Sequence, residues 1–287
     1  MLFVQKRNLD DFSQMNFLWA LIPIFVHIDF QAQMDYEIKK EGRFQYVECG
    51  EGPVIVVLHG LFGALSNFKD VLDHFSGKYK VVIPIMPIYD MPVAETNVQA
   101  LADFIHDFID YKGYSKVNLL GNSLGGHVSL VYMQHYPAKV NSVILTGSSG
   151  LYENAFGGTF PRRGDYNFIK EKVELTFYDP ATATKELVDE VFAIIKDKEK
   201  VIRTLALAKS AIRHNMAEEL KNFNVPFCLI WGRNDIVTPA DVADEFHKLL
   251  PQSDLFWIDK CGHAAMMERP QEFNEIMDMW LTKLFGH

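Results

Sequence analysis

The chain has 287 residues, of which 48% are hydrophobic and 23% are charged, and its formal net charge is −9. These values are typical of a soluble globular protein with one large domain, or with a core that carries a substantial insertion. The acidic balance argues against a nucleic-acid-binding protein, because non-specific binding to nucleic acid needs a basic surface.

Neither a cofactor nor a metal ion is expected from the sequence. The three cysteines, Cys49, Cys228 and Cys261, lack the spacing of a metal site. The glycines between residues 121 and 126 do not form the G-x-G-x-x-G fingerprint of dinucleotide binding.

Residues 1–34 are predicted to form an N-terminal extension that precedes the core. Phe17–Val26 is markedly apolar, but it is too short for a stable membrane span and Pro23 interrupts it. Three interpretations stay open: residues upstream of a true start at Met34, an export or anchoring segment, or a packed helix. The first makes the protein cytoplasmic, whereas the second makes it exported or membrane-associated.

Short strands and helices alternate from residue 44 onward. Phe44–Glu48, Val54–Leu58 and Lys80–Ile85 are predicted strands, and residues 96–111 carry an apolar stripe at helical spacing. This alternation indicates a mainly parallel sheet that is covered by helices on both faces.

Gly121-Asn122-Ser123-Leu124-Gly125 is the most informative motif of the chain. It joins a predicted buried strand, residues 116–120, to a predicted helix that starts near residue 126. A serine on such a turn, with a glycine two residues to either side, is typical of a nucleophile elbow. Because ordinary turns also contain glycine and serine, the partners available to the serine decide between the two interpretations.

A nucleophilic serine needs a base that an acid orients, and in this architecture the acid and then the base follow the serine along the chain. Asp235 lies in a loop after the predicted strand 225–232, where a turn or capping role is the alternative. His263 lies in a loop after the predicted strand 254–259. Among the ten histidines it is the one that combines a post-strand loop with a position beyond Asp235. We therefore predict Ser123, Asp235 and His263 as the catalytic residues.

The turn after the strand Val54–Leu58 supplies a candidate oxyanion site. Backbone N–H groups can stabilise the negative charge that develops on a carbonyl oxygen during acyl transfer. We assign the two donors to the N–H groups of Leu61 and Leu124. The other residues expected to line the site are His59, Gly60, Phe62 and Asn122.

The strand–helix alternation lapses between residues 146 and 225. Helical segments are predicted around 168–177, 185–196 and 198–214. We therefore predict a helical cap over residues 151–220, inserted between core segments 35–150 and 221–287. A cap can cover the site, exclude water and shape the substrate pocket, whereas a surface excursion without a functional role is the alternative.

Several motifs of the chain occur together in one order. They are His59–Gly63, Gly121–Gly126, Trp231–Asp235 with Pro239, Gly262-His263, and Glu268–Pro270 with Phe273. With these motifs the chain resembles the α/β-hydrolases from about residue 44 to the C-terminus. The resemblance implies an α/β-hydrolase fold, a Ser123–His263–Asp235 triad and the two oxyanion donors. A serine at the elbow argues against the haloalkane dehalogenase and epoxide hydrolase branches, which have aspartate there.

The predicted function is hydrolysis of small, mainly apolar carboxylic esters or related acyl compounds through an acyl-enzyme, with a small-molecule acyl substrate as the partner. Carbon–carbon bond hydrolysis is an alternative, because residues 144–151, the cap and the segment around His263 resemble the meta-cleavage-product hydrolases. Two departures are Leu61-Phe62-Gly63, where that family has Gly-Pro-Gly, and Ala264, where it has tryptophan. A ligand receptor or signalling protein of the same fold is a further alternative.

Overall fold

The structure, a computed structural model, describes residues 36–63, 65–153, 162 and 164–286. The apolar segment Phe17–Val26 therefore lies outside the described residues, as do residues 154–161 and 163 of the predicted cap. In the part of the chain that is described, no helix is long and apolar enough to cross a membrane.

A single mostly parallel sheet of eight strands forms the centre of the described protein, in the order β1-β2-β4-β3-β5-β6-β7-β8. β2 pairs antiparallel with β1 and β4, and all other neighbours are parallel. This sheet confirms the predicted fold class. The strands are β1 (Lys39–Glu41), β2 (Phe44–Cys49), β3 (Val54–Leu58), β4 (Lys80–Pro84), β5 (Val117–Asn122), β6 (Val140–Thr146), β7 (Phe227–Gly232) and β8 (Ser253–Ile258).

Helices cover both faces of this sheet. Successive residues of a strand point to opposite faces, and accordingly Leu119 belongs to one apolar cluster while Leu120 belongs to the other. α2, α3 and α8 pack in the first cluster, and α1 and α10 pack in the second. The helices are α1 (Lys69–Phe75), α2 (Val98–Tyr111), α3 (Leu124–His135), α4 (Tyr166–Glu174), α5 (Lys185–Lys196), α6 (Lys198–Arg213), α7 (Ala217–Leu220), α8 (Ala240–Leu249), α9 (Ala265–Glu268) and α10 (Pro270–Phe285).

Helices α4, α5 and α6 lie between β6 and β7, inside the segment predicted to be a cap. Each begins after a residue whose side chain accepts hydrogen bonds from backbone N–H groups of the first turn: Asp165, Thr184 and Asp197 respectively. Such caps satisfy N–H groups that have no partner within the helix. The local sequence therefore fixes where these helices start, even though the alternating pattern of the core has stopped.

Strand β5 and helix α3 approach each other as closely as backbones can. A Cβ atom on Gly121 would lie 2.5 Å from the carbonyl oxygen of Gly125 and 2.5 Å from the Cα of Gly126. A Cβ atom on Gly125 would lie 2.0 Å from the carbonyl oxygen of Leu58 at the end of β3. The glycines of the predicted elbow are therefore required by packing, and they bring β3, β5 and α3 together around Ser123.

We expect Gly121→Ala to lower the free energy of unfolding by about 1–3 kcal/mol or more, because the added methyl group must push β5 and α3 apart. Gly77→Ala is the matched control, since a Cβ atom there meets nothing within 4 Å. Urea or thermal unfolding of both variants measures the difference. Equal stability of the two variants would contradict the close approach described above.

Candidate active site

Ser123 has an unusual backbone conformation, with φ of 54° and ψ of −121°. A positive φ is costly for a residue with a side chain, and such strain persists only when neighbouring structure holds it. The N–H of Ser123 donates to the carbonyl of Thr146 at 3.2 Å, and its carbonyl accepts from the N–H of Ser149 at 3.1 Å. The end of β6 and the loop after it therefore hold the elbow in place.

Asp235 and His263 form a directly hydrogen-bonded pair. Oδ2 of Asp235 lies 2.9 Å from Nδ1 of His263 and also accepts from the Thr238 hydroxyl at 2.7 Å. Oδ1 accepts from the N–H groups of Val237 and Thr238 at 2.8 and 3.0 Å. Both oxygens of Asp235 are thus held by hydrogen bonds, and the residue is only 4% exposed, so the orientation of its carboxylate is fixed. Donation from Nδ1 leaves Nε2 of His263 free to act as a base.

The pKa of His263 reflects two opposing effects. Burial disfavours the charged ring, but the charge of Asp235 and the hydrogen bond to it outweigh burial, and Glu153 adds to them. The net result is a pKa raised above the ordinary histidine value. A pair arranged in this way stabilises the imidazolium that forms when histidine accepts a proton.

The loop that carries His263 is tied to the elbow. The side-chain amide of Asn122 donates to the carbonyls of Thr146 at 2.9 Å and of His263 at 3.2 Å. A Cβ atom on Gly147 would lie 2.8 Å from Nδ1 of His263, so only a glycine leaves room for the ring. The structure therefore places Ser123 and His263 on the wall of the same cavity.

The predicted oxyanion turn packs against the elbow. A Cβ atom on Gly60 would lie 3.3 Å from Cβ of Ser123. Leu124 is the first residue of α3, where an N–H group has no partner within the helix. Leu61 lies in the turn that the hydrogen bond from Gly63 N–H to Gly60 carbonyl closes at 3.0 Å. Leu124 directly follows Ser123, and Leu61 directly follows Gly60, which packs against Ser123. The assignment of their N–H groups as oxyanion donors stays a prediction, and the N-terminal end of α3 adds a positive dipole to this region.

His59 is placed differently from the expectation. The cavity wall contains Gly60, Leu61, Phe62 and Asn122 but not His59, whose ring lies behind the turn and is 6% exposed. Its Nε2 accepts from the N–H of Met86 at 3.2 Å, so Nδ1 donates to the carbonyl of Gly60 at 2.9 Å. Burial lowers the pKa of His59. A neutral His59 therefore shapes the turn from outside the cavity.

The cavity that contains Ser123 and His263, here called the central cavity, has a volume of about 220 Å³. One wall of this cavity comes from helices α4, α5 and α6 and from the segment after α4, and it is largely apolar. The apolar residues of that wall are Ile169, Val173, Phe177, Leu187, Val191, Leu205, Ala208 and Ile212. The described residues that carry a charge on the wall of the central cavity are Glu153 and Lys172.

Two other side chains of reactive types, His127 and Cys261, are buried and do not line the central cavity. His127 is fully buried, and burial together with the charge of His214 lowers its pKa to about 3. Cys261 is also fully buried, and burial raises the pKa of its thiol to about 12, which prevents thiolate formation at neutral pH. Among the described residues, no cluster of three histidine, cysteine or acidic side chains could hold a metal ion.

Sequence reasoning did not single out Thr238 and Glu153. Thr238 follows Asp235 by three residues and bonds to it through both its hydroxyl and its N–H. An aspartate in a turn often accepts hydrogen bonds from residues two or three positions later, so the sequence around Asp235 could have indicated this contact. Glu153 reaches the central cavity from a segment of irregular structure, where it accepts a hydrogen bond from the hydroxyl of Ser149, four residues earlier. Its effect on His263, which lies far along the chain, depends on the tertiary fold.

Comparison with known proteins defines the family. A family model described as "alpha/beta hydrolase fold" matches residues 53–177. MGS-MChE2, an α/β-hydrolase enzyme from the metagenome of sediments of the Mar Chica lagoon in Morocco, is 46% identical. The match covers 86% of this chain and 98% of that one, with a TM-score of 0.72. The chain belongs to the α/β-hydrolase family and is a hydrolase.

Two more distant relatives have named substrates. A 2-hydroxy-6-oxononadienedioate/2-hydroxy-6-oxononatrienedioate hydrolase from a Pseudomonas species is 24% identical over 84% of this chain and 93% of its own length. A 2-hydroxy-6-oxo-6-phenylhexa-2,4-dienoate hydrolase from Burkholderia cepacia is 24% identical over 82% of this chain and 89% of its own length.

Replacing Glu153 by Gln tests the electrostatics of the base. The charge of Glu153 raises the pKa of His263, and His263 must be neutral to accept a proton. We expect Glu153→Gln to lower that pKa, so that the acid limb of the pH profile of kcat/KM moves to lower pH.

Glu186→Gln serves as the control, because Glu186 is an exposed residue of α5. Its pH profile should match that of the wild type. An acid limb that stays in place or moves to higher pH in Glu153→Gln would contradict the assignment.

Proposed function

We propose that the protein hydrolyses small, mainly apolar carboxylic esters or related acyl compounds through an acyl-enzyme on Ser123. The observation that supports this proposal most strongly is the central cavity. Ser123 and His263 lie on its wall, while apolar side chains of the cap surround the space beside them. A cavity of this kind suits an uncharged acyl group of modest size.

The first step of the proposed reaction is attack by Ser123. The hydroxyl oxygen of Ser123 attacks the carbonyl carbon while Nε2 of His263 accepts the hydroxyl proton. Asp235 holds the ring through Nδ1 and stabilises its charged form. The N–H groups of Leu61 and Leu124 bind the negatively charged oxygen of the tetrahedral intermediate.

The intermediate then collapses. His263 gives its proton to the leaving alcohol, and the acyl group stays on Ser123 as an ester. A water molecule, deprotonated by His263, attacks this ester, and the second intermediate releases the carboxylic acid. His263 returns its proton to Ser123, which restores the starting state of the enzyme.

The charges of the cavity favour neutral substrates. The carboxylate of Glu153 lies on the same wall as Ser123 and acts on His263. An anionic group bound near the reacting carbonyl would meet this negative charge in a partly desolvated space. Lys172 is the cation on the described wall, and its ammonium group lies 5.7 Å from the centre of the Phe168 ring.

Carbon–carbon bond hydrolysis is the second candidate, and the names of the Pseudomonas and Burkholderia relatives favour it. The substrates in those names are acids, so an enzyme of this type must accommodate carboxylate groups. In this chain Lys172 could offer a positive charge for that purpose, whereas Glu153 opposes it.

We expect the purified protein to hydrolyse short p-nitrophenyl esters, and Ser123→Ala to lower kcat by about 10⁶-fold. The first assay measures initial rates on a panel of neutral esters of increasing acyl length. The second assay follows the loss of a yellow ring-fission product by its absorbance. Ser129→Ala is the control, because its buried hydroxyl only donates to a carbonyl within α3. Ester rates that are equal in wild type and Ser123→Ala would refute the first candidate. Faster consumption of the ring-fission product than of any ester would establish the second.

A further inference from the structure

The proposed reaction leaves one buried carboxylate of the site without a role. Glu268, the last residue of α9, is only 8% exposed. Its Oε2 accepts from the N–H of Gly262 at 2.6 Å, and its Oε1 accepts from the N–H of Asp179, also at 2.6 Å. Short hydrogen bonds from N–H groups to a carboxylate are among the stronger ones in proteins. Glu268 therefore joins two segments that are distant in sequence.

Both segments are close to the proposed base. Gly262 directly precedes His263, and these two residues are here called the base loop. Asp179 ends the cap linker, residues 176–179, which follows α4 and leads toward α5. Glu268 thus connects the loop that carries the base to the insertion that covers the site.

The cap linker also contacts the base loop directly. The N–H of His263 donates to the carbonyl of Thr176 at 2.8 Å. A Cβ atom on Gly262 would lie 2.5 Å from that same carbonyl oxygen and 2.8 Å from the Cα of Phe177. The two backbones are in contact, and Glu268 holds them together from one side.

We propose that Glu268 is a positioning residue that fastens the cap linker to the base loop and so holds Nε2 of His263 in reach of Ser123. The proposal rests on the serine-hydrolase function stated above. The hydrogen bond to Asp235 fixes only the Nδ1 end of the ring, so the backbone must fix its place and tilt. Asn122 holds the carbonyl of His263, Thr176 holds its N–H, and Glu268 holds the N–H of the residue before it.

The cap linker also touches the space for the substrate, because Thr176 and Phe177 line the central cavity. The same short segment therefore borders the space proposed for the acyl group and contacts the backbone of the base. In this arrangement the cap contributes to the reaction itself as well as to the shape of the pocket.

Glu268→Gln is the first test. Glutamine keeps the size of the side chain, but its NH₂ group faces one of the two N–H donors, so that one of the two links is lost. A shift of about 1 Å in a catalytic group can cost about a hundredfold in rate. We expect kcat to fall by about tenfold to a hundredfold, with KM within about twofold of the wild-type value. The acid limb of the pH profile should move much less than it does in Glu153→Gln, because Asp235 and Glu153 keep their charges.

Glu272→Gln is the matched control, since Glu272 is an exposed acid in the first turn of α10. It should behave as the wild type. A folded Glu268→Gln enzyme with the kcat of this control would overturn the proposal.

Gly262→Ala tests the same contact without changing Glu268. The added methyl group must push the cap linker away from the base loop, so kcat should fall here as well. Gly164→Ala is its control, because a Cβ atom on Gly164 meets nothing within 4 Å. If Glu268→Gln does not fold, a normal kcat in Gly262→Ala overturns the proposal by itself.

A proton NMR measurement separates this proposal from the proposed substrate class. The proton between Nδ1 of His263 and Asp235 gives a far-downfield resonance, assigned by its loss in His263→Ala. We expect this resonance to broaden or shift in Glu268→Gln and to stay unchanged in Glu272→Gln. A wild-type protein that hydrolyses no ester would refute the proposed function, while an unchanged resonance in Glu268→Gln would refute the positioning role.

Discussion

The close crossing of β3, β5 and α3 is the constraint on which the whole site depends. Glycines at positions 121 and 125 allow three backbones to meet where side chains would collide. The turn between β5 and α3 must then be so tight that Ser123 takes a positive φ. Strain of this kind is stable only in a rigid surrounding. The buried sheet supplies that rigidity, and the strained residue gains a side chain that faces the central cavity.

The electrostatics of the site follow from the same packing. Burial by itself would keep His263 neutral and would make a lone buried carboxylate costly. The structure places the two groups together, and four hydrogen bonds saturate the oxygens of Asp235. The charge of Asp235 therefore acts directly on the ring of His263 and raises its pKa. The rest of the cavity is mostly apolar, so these few charges act in a space with little water to screen them.

The sequence predicted those parts of the fold that carry local patterns. Ser123, Asp235 and His263 each follow an apolar run that ends at a turn, and this placement together with chain order predicted their roles. Strand β3 has the predicted bounds, and β2 and β4 each differ from theirs by one residue. Strand β1 was missed because Lys39-Lys40-Glu41 has no apolar alternation, and it is recruited as an edge strand by pairing with β2. Helix α9 was missed because four residues are too short to show a helical period.

Contacts between distant segments could not be predicted in this way. The motif containing His59 indicates a turn but does not say which side of it the ring occupies. The hydrogen bond that Nε2 of His59 accepts from the N–H of Met86 decides that. Glu268 was noted only as part of a family motif, because its partners Asp179 and Gly262 are brought to it by the tertiary fold. Glu153 had no sequence signal. The contacts of these residues form only when segments that are distant in sequence come together in the folded protein.

The central claim is that His263, oriented by Asp235, activates Ser123. The most direct measurement is covalent labelling with a fluorophosphonate, followed by peptide mapping of the labelled residue and by rate measurement in His263→Ala. The account predicts that the label is on Ser123 and that His263→Ala abolishes rapid labelling while the protein stays folded. A label on any other residue, or a labelling rate that His263→Ala leaves unchanged, would contradict it.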